Sequence, residues 1–299
     1  MAKSILLLGA DGQVGWELRR TLAPLGPVTA CTRAEADLAD LDRLRAVAAA
    51  AELIVNAAAY TAVDKAESEP ELADLVNHRA VAVLAETARA RGARLVHYST
   101  DYVFDGAKPA PYIETDAVNP LSVYGATKLA GERAIAASGC RHLVFRTSWV
   151  YAARGRNFVR TMLRLAQERD ELAVVADQLG APTSARLIAE LTARALAKPI
   201  PDGLYHLAAA GETSWHGFAV FVLTEARRLG WPMTADPGRV RPIPTSGYPT
   251  PARRPANSRL ATDRLRTALG VVLPPWQDDA RAVVAALINA DRSQADRKA

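Results

Sequence analysis

The sequence predicts an α/β fold, a doubly wound parallel sheet followed by a smaller α/β lobe. Three observations carry this. Short apolar runs alternate with helical patterns from residue 4 to about residue 147, the mark of repeated strand–helix–strand units. The first apolar run passes through a glycine-rich loop into a helix. Beyond residue 199 the alternation loosens, and Pro242, Pro244, Pro249, Pro251 and Pro255 crowd together.

Residues 4–8 (SILLL) read as a buried parallel strand, apolar without alternation. The loop GADGQVG follows at 9–15, then a helical pattern over 16–22. Glycines between a strand and a helix let the backbone approach a ligand, and the helix N-terminus offers unpaired N–H groups and a positive dipole end. This is a cradle for a pyrophosphate, hence for a dinucleotide, with Gly9, Gly12, Gln13 and Val14 as contacts. The second strand ends near residues 30–33, where an acid bonding the adenosine ribose would be expected. Thr32 stands there instead, and the adjacent Arg33 suits a 2′-phosphate, so NADPH is expected ahead of NADH. Asp37, read from the sequence alone, is a helix N-cap before 40–47.

A third strand at 53–56 runs into Ala57, Ala58, Ala59, Tyr60 and Thr61, small enough at first for a cofactor to lie on the backbone. A helix is expected over 71–91. Residues 95–102 (LVHYSTDY) read as a buried strand ending in a polar cluster. Open parallel sheets bind ligands beyond their strands' carboxyl ends, which brings Thr100 and Asp101 to the edge that holds the glycine loop. On a helix over 124–138, Tyr124 and Lys128 share one face. A neighbouring ammonium favours the phenolate and makes a tyrosine a better proton donor or acceptor. Further strands are expected at 141–147 and 171–175. Arg241, Arg253, Arg254 and Arg259 form either a solvated basic face or a fork for an anionic substrate. The polar end, 291–299, is expected to fray.

The 299 residues carry a net charge of +5 and are 49% hydrophobic. No apolar run approaches the ~18–20 residues that span a bilayer, and the start does not read as a signal peptide. Basic residues form no block interleaved with aromatics, so nucleic acid is not the expected partner. Cys31 and Cys140 suggest no disulfide framework, and the five histidines show no metal-ligand spacing. A cytoplasmic protein without a metal site is expected.

Thr100, Tyr124 and Lys128, in that order, resemble the catalytic triad of the extended short-chain dehydrogenase/reductase superfamily. Longer runs are similar to the dTDP-4-dehydrorhamnose reductase family: NAAAYTAVDKAESEP at 56–70, HYSTDYVF at 97–104, FRTSWVY at 145–151, GAPT at 180–183 and YPTPARRP at 248–255. The resemblance spans about residues 5–276. It implies a Rossmann-type NAD(P)-binding domain over 1–150 with 170–200, and a substrate lobe over 151–169 with 201–299. It implies NADPH-dependent reduction of the C4 keto group of dTDP-4-dehydro-β-L-rhamnose to dTDP-β-L-rhamnose. Tyr124 would donate the proton, Lys128 would lower its pKa and hold the nicotinamide ribose, and Thr100 would orient the reacting oxygen. Asp37, Leu38, residues 57–61 and Tyr98 would hold the cofactor; Asp101, Tyr102, Trp149 and Arg254 would meet the sugar nucleotide.

Some members of the family dimerise through Mg²⁺ held by acids on the first helix and after GAPT. Glu17 keeps the first position, but Arg186 replaces the acid that follows, and a guanidinium cannot ligate Mg²⁺. A monomer or a Mg²⁺-independent homodimer is therefore expected. Dehydratases of the superfamily place Asp-Glu after the threonine, whereas Asp101 is followed by Tyr102. An epimerase shares the triad, and a non-catalytic subunit of methionine adenosyltransferase can keep it. The matches at Asp101, Tyr102, Trp149 and 248–255 favour the reductase.

Overall fold

The computed structural model describes residues 3–198 and 200–296. Six parallel strands lie at its centre: β1 (Ile5–Leu8), β2 (Val28–Cys31), β3 (Leu53–Asn56), β4 (Arg94–Thr100), β5 (Arg141–Thr147) and β6 (Gly203–His206). Their order is β6-β5-β4-β3-β1-β2, so the direction of winding reverses beside β1. The register aligns Leu8 with Asn56, Asn56 with His97 and Thr100 with Thr147, which brings the carboxyl ends together on one edge.

The apolar runs lack alternation because both faces of the sheet are covered. Ile5, Leu7, Val55 and Phe145 pack on one side with α1 (Gln13–Leu22), α6 (Ala185–Ala197) and α7 (Trp215–Arg228). Leu6, Leu8, Ile54 and Leu95 pack on the other with α2 (Leu41–Ala48), α3 (Ala80–Arg91) and the Ile135 side of α4 (Val123–Ser138). Cys31 and Cys140 are buried free thiols within the second layer. Outside the sheet lie α5 (Phe158–Glu168) and α8 (Trp276–Asp296), which join the first layer's core. Of the end expected to fray, 297–299 lie outside the described residues, and the helix runs to Asp296.

Four local expectations meet a different structure. The helix over 71–91 is Pro70–Asp74, one π turn at Leu75–Arg79, then α3. The π turn aims Asn77 inward, where its amide accepts from Tyr60 N (2.9 Å) and donates to Tyr60 O (3.0 Å). Such turns occur frequently at functional sites. Residues 171–175 do not enter the main sheet: Ala173–Val175 pairs in parallel with Arg241–Ile243. The sheet is completed instead by Gly203–His206, from the segment assigned to the substrate lobe. Asp37 is not an N-cap; Asp40 caps α2, accepting from Arg43 N at 2.9 Å.

Helix α4 is fixed at both ends. Ser122 caps it by accepting from Gly125 N (3.2 Å), and Gly139 closes it at φ +67°. This cap makes Tyr124 the second residue of the helix and puts Lys128 one turn further on.

The loop before α1 is as tight. A Cβ on Gly15 would overlap the Gly9 carbonyl oxygen and stand 2.7 Å from its carbon. Gly15→Ala is expected to cost about 1–3 kcal/mol, the scale of overpacking in a filled interior, and to weaken NADPH binding. Thermal denaturation and a titration of NADPH fluorescence check both; unchanged midpoint and affinity would refute the cradle.

Candidate active site

A cleft of about 820 Å³ runs along the carboxyl edge from the glycine loop to α4. That is within the size range of small-molecule sites. The described residues contain no cluster of His, Cys, Asp or Glu able to hold a metal ion.

At one end Gly9, Gly12, Gln13 and Val14 line the wall. Helix α1 begins after Gly12 with no side-chain cap, which leaves its first N–H groups and positive dipole facing the cleft. The backbone at Ala57, Ala58 and Ala59 forms the opposite wall with Tyr60 and Thr61. These features fit a dinucleotide pyrophosphate.

The end of the cleft beside β2 corrects one expectation. Arg33, Asp37 and Leu38 line the cleft, but Thr32 does not. Its amide and hydroxyl both donate to Glu35, at 2.7 and 2.9 Å, so an acid reaches the strand end from three residues on. The sequence reading missed Glu35 because it looked for the carboxylate on the strand itself. Arg33 bonds Asp37 (3.1 Å) and stays exposed, within reach of solvent and ligand alike.

At the other end Thr100, Tyr124 and Lys128 converge. Thr100 ends β4; its hydroxyl accepts from Tyr102 N (3.1 Å) and donates to Asp101 Oδ1 (3.0 Å). The rings of Tyr102 and Tyr124 meet edge to face at 5.9 Å. Burial pushes Tyr124 up to about 12; the Thr100 hydroxyl opposes the shift and the Asp101 charge adds to it. Lys128 donates to Tyr98 O (2.6 Å) and lies 3.1 Å from His97 Nε2. Burial pushes Lys128 down to about 8, against the pull of Glu132. Lys128 lines the cleft with its nitrogen engaged by Tyr98 O, and burial outweighs the expected lowering of Tyr124 by its charge. Tyr98 lines the cleft, but its hydroxyl is turned to Thr192 (2.9 Å).

This end of the cleft is polar and strained. Eight buried side-chain atoms among the described residues have no hydrogen-bond partner, and three belong to cleft residues: Ser99 Oγ, Asp101 Oδ2 and Thr147 Oγ1. Leaving such groups unpaired costs ~1–3 kcal/mol each, a cost the fold carries beside the cleft. Trp149 is held at φ +49° and stacks on Trp215 at 3.7 Å. A bulky residue in that region costs about 1–3 kcal/mol. The glycine of GAPT has its reason here, since a Cβ on Gly180 would stand 2.6 Å from the Trp149 ring.

Arg254 does not line the cleft. Its guanidinium forks onto Asp64, at 2.9 and 2.7 Å, instead of waiting for a diphosphate. Arg259 is likewise engaged with Glu212 (2.9 Å) and Asn257 (2.8 Å). The sequence reading also missed Lys65, Glu69, Arg156 and Trp215, all of which line the cleft. Glu69 accepts from Tyr60 OH and Lys65 Nζ, both at 2.7 Å. Trp215 had a signal, an aromatic directly after a capping serine, but its partner Trp149 is distant in sequence.

A glycine loop on a doubly wound sheet, with threonine, tyrosine and lysine at its far end, defines a dinucleotide-binding protein of the short-chain dehydrogenase/reductase architecture. More narrowly, the chain belongs to the RmlD substrate binding domain family, whose model matches residues 3–289. It is 52% identical over 284 residues to the dTDP-4-dehydrorhamnose reductase of Escherichia coli K12, covering 92% of this chain and 94% of that protein. The reductase of the same name from Burkholderia thailandensis is 53% identical over 283 residues, covering 91% and 95%. A crystal structure of dTDP-4-dehydrorhamnose reductase from Bacillus anthracis in complex with NADP superposes with a TM-score of 0.88. It is 32% identical and covers 95% of this chain and 99% of that one.

Asp101 supplies a test of the site's cost. Burial raises its carboxyl to about 6, while the Ser258 and Thr100 hydroxyls pull the other way. The folded state thus binds this proton more tightly than the unfolded chain does. Stability falls as pH rises from the unfolded value through about 6, then levels off. Asp101→Asn should remove that fall and raise stability at neutral pH by on the order of 2 kcal/mol. Denaturant titrations of both proteins at low and neutral pH check this; parallel pH curves would refute it.

Proposed function

We propose that the protein is an NADPH-dependent reductase of a nucleotide sugar. It reduces the C4 keto group of dTDP-4-dehydro-β-L-rhamnose to dTDP-β-L-rhamnose, the last step in forming that sugar nucleotide. The observation that carries this reading is a buried proton donor, Tyr124, standing with Thr100 and Lys128 at the end of a dinucleotide cleft. Membership of the family and the names of its relatives support the same substrate.

The chemistry that bound NADPH supplies is hydride transfer to the carbonyl carbon. The first N–H groups of α1 and the backbone at Gly9 and Gly12 would hold the pyrophosphate of such a cofactor, Arg33 would favour a 2′-phosphate, and Asp37 and Leu38 would help hold the adenosine part. Ala57, Ala58, Ala59, Tyr60 and Thr61 support the remainder with Tyr98 and Lys128. Tyr124, protonated at neutral pH, delivers its proton to the developing alkoxide, and Thr100 fixes the position of that oxygen. Asp101 and Tyr102 bind the sugar, and Trp149 with Trp215 gives it a flat wall. Arg254 acts indirectly, holding Asp64 and the turn at 250–254 beside the cleft. Residues 151–169, with the chain beyond β6, form the substrate lobe.

NADPH oxidation followed with the keto sugar generated from dTDP-glucose should be rapid and yield dTDP-rhamnose. NADH should give a lower kcat/KM. Tyr124→Phe should reduce kcat at least ~10²-fold, the lower end for general acid catalysis. Near-normal turnover by this variant, or no substrate-dependent oxidation by folded wild type, would sink the assignment.

We propose further that self-association, where it occurs, uses no bridging Mg²⁺. Arg186 bonds Glu190 (3.0 Å), and Arg20 reaches Glu190 (3.6 Å) and Glu17 (3.9 Å), so guanidiniums stand where a cation would be needed. Sedimentation with and without EDTA should give one result; an EDTA-dependent mass would overturn this.

A further inference from the structure

Residues 152–157 form a loop that rests on the glycine cradle and is fastened there at several points. Asn157 Nδ2 donates to Gln13 Oε1 at 2.9 Å, to Ala152 O at 2.8 Å and to Arg154 O at 3.2 Å. Its Oδ1 accepts from Arg160 N at 3.2 Å and so caps α5. Arg160 Nη1 returns to Ala153 O at 3.0 Å. Gly155 turns the chain at φ +69°, and a Cβ there would stand 3.2 Å from Gln13 Cγ. Arg154 lays its guanidinium over the Trp16 ring, 3.6 Å from the centroid, within range of a cation–π contact. Gln13 and Trp16 are among the first four residues of α1. The loop is therefore held against the end of the helix whose N–H groups face the cleft.

Between these fastenings stands Arg156, exposed and on the wall of the cleft. The other cations of that wall are engaged. Arg33 pairs with Asp37 at 3.1 Å and Lys65 with Glu69 at 2.7 Å. Lys128 is buried and donates to Tyr98 O. Arg156 has neither an ion pair nor a hydrogen bond among the described residues, although its neighbours Arg154 and Arg160 are both held.

The cradle opposite needs such a charge. Asp11 lies in the glycine loop and on the cleft wall, exposed and without an ion pair among the described residues. A carboxylate there repels a diphosphate. The helix end offers only about half an elementary charge against it, whereas a dinucleotide bridge carries a negative charge on each of its phosphates.

We propose that the loop 152–157 is a clasp over the diphosphate of the bound dinucleotide, and that Arg156 supplies its cation. A guanidinium presents paired N–H donors that match phosphate oxygens. The N–H groups of α1 meet the diphosphate from one side and Arg156 meets it from the other. A nucleotide sugar carries a diphosphate too, but the fastenings to Gln13 and Trp16 set Arg156 beside the glycine loop, which favours the cofactor. The two arginines of the cleft then divide the work. Arg33 discriminates by the 2′-phosphate, whereas Arg156 meets the bridge that NADPH and NADH share. The clasp rests on the dinucleotide reading of the cleft and not on the identity of the sugar.

The test is a fluorescence titration of NADPH and of NADH in the absence of any sugar substrate. Arg156→Gln should raise both dissociation constants about tenfold, by the same factor, the worth of one hydrogen bond between charged groups. Arg156→Lys, which keeps the charge, should recover part of that loss; a defect of loop packing would not be restored. Added salt should weaken the wild type more steeply than Arg156→Gln, because the lost contact is between exposed charges. Asn157→Ser keeps a capping oxygen for α5 but drops the bond to Gln13. It should cost affinity in the wild type and little more in Arg156→Gln, since the two changes act on one contact. In protein saturated with NADP⁺, dTDP should bind Arg156→Gln as it binds the wild type. Unchanged binding of both cofactors, a loss confined to NADPH, a loss that falls on dTDP instead, or full additivity of the two changes would each overturn the clasp. A folded wild type that binds neither cofactor would sink the dinucleotide reading along with it. Normal wild-type binding beside an unaffected Arg156→Gln would sink the clasp alone.

Discussion

The site depends on how closely helix α4 is drawn against the end of strand β4. Gly125 lets the first turn of the helix rest on the Tyr102 carbonyl, which a Cβ would overlap, and Gly131 does the same against Asn77 O. The buried pair of Glu132 with Arg146 ties the helix to β5, and Lys128 ties it to the Tyr98 carbonyl. Removing one partner of such a buried pair costs ~3–5 kcal/mol, because the other charge is left without compensation. The same closeness strips water from Tyr124, Lys128 and Asp101. Their shifted titrations follow from the packing of one helix.

That packing gives up stability at the cleft. Trp149 occupies a backbone region that suits glycine, and Ser99, Asp101 and Thr147 keep polar atoms unpaired. A sequence selected for folding alone would relieve each of these locally. They lie together beside the cleft, so the stability given up is concentrated at the candidate site.

Much of this was legible in the sequence. The strands announce themselves as unbroken apolar runs because both faces of the sheet are covered, and the glycine loop lies between a strand and a helix as its chemistry requires. Tyr124 and Lys128 share a face by helical period alone. What the sequence hid is the long-range pairing. Arg254 meets Asp64 across 190 positions, and Trp215 stacks on Trp149 from another distant part of the chain. Gly203–His206 is a short strand that period cannot separate from a loop, so its pairing with β5 is not foreseen. Asn56 and His97 were read as strand residues, because their meeting depends on register, which a single strand does not contain.

The electrostatics of the cleft favour reduction over a standing phenolate. A tyrosine near 12 is a poor proton donor by pKa matching, since general acids work best close to the operating pH. A lysine near 8 is an ammonium at neutral pH, and its charge gains a partner only once the phenol has become negative. The favourable interaction then belongs to the charge-separated state, which is where binding energy accelerates a reaction.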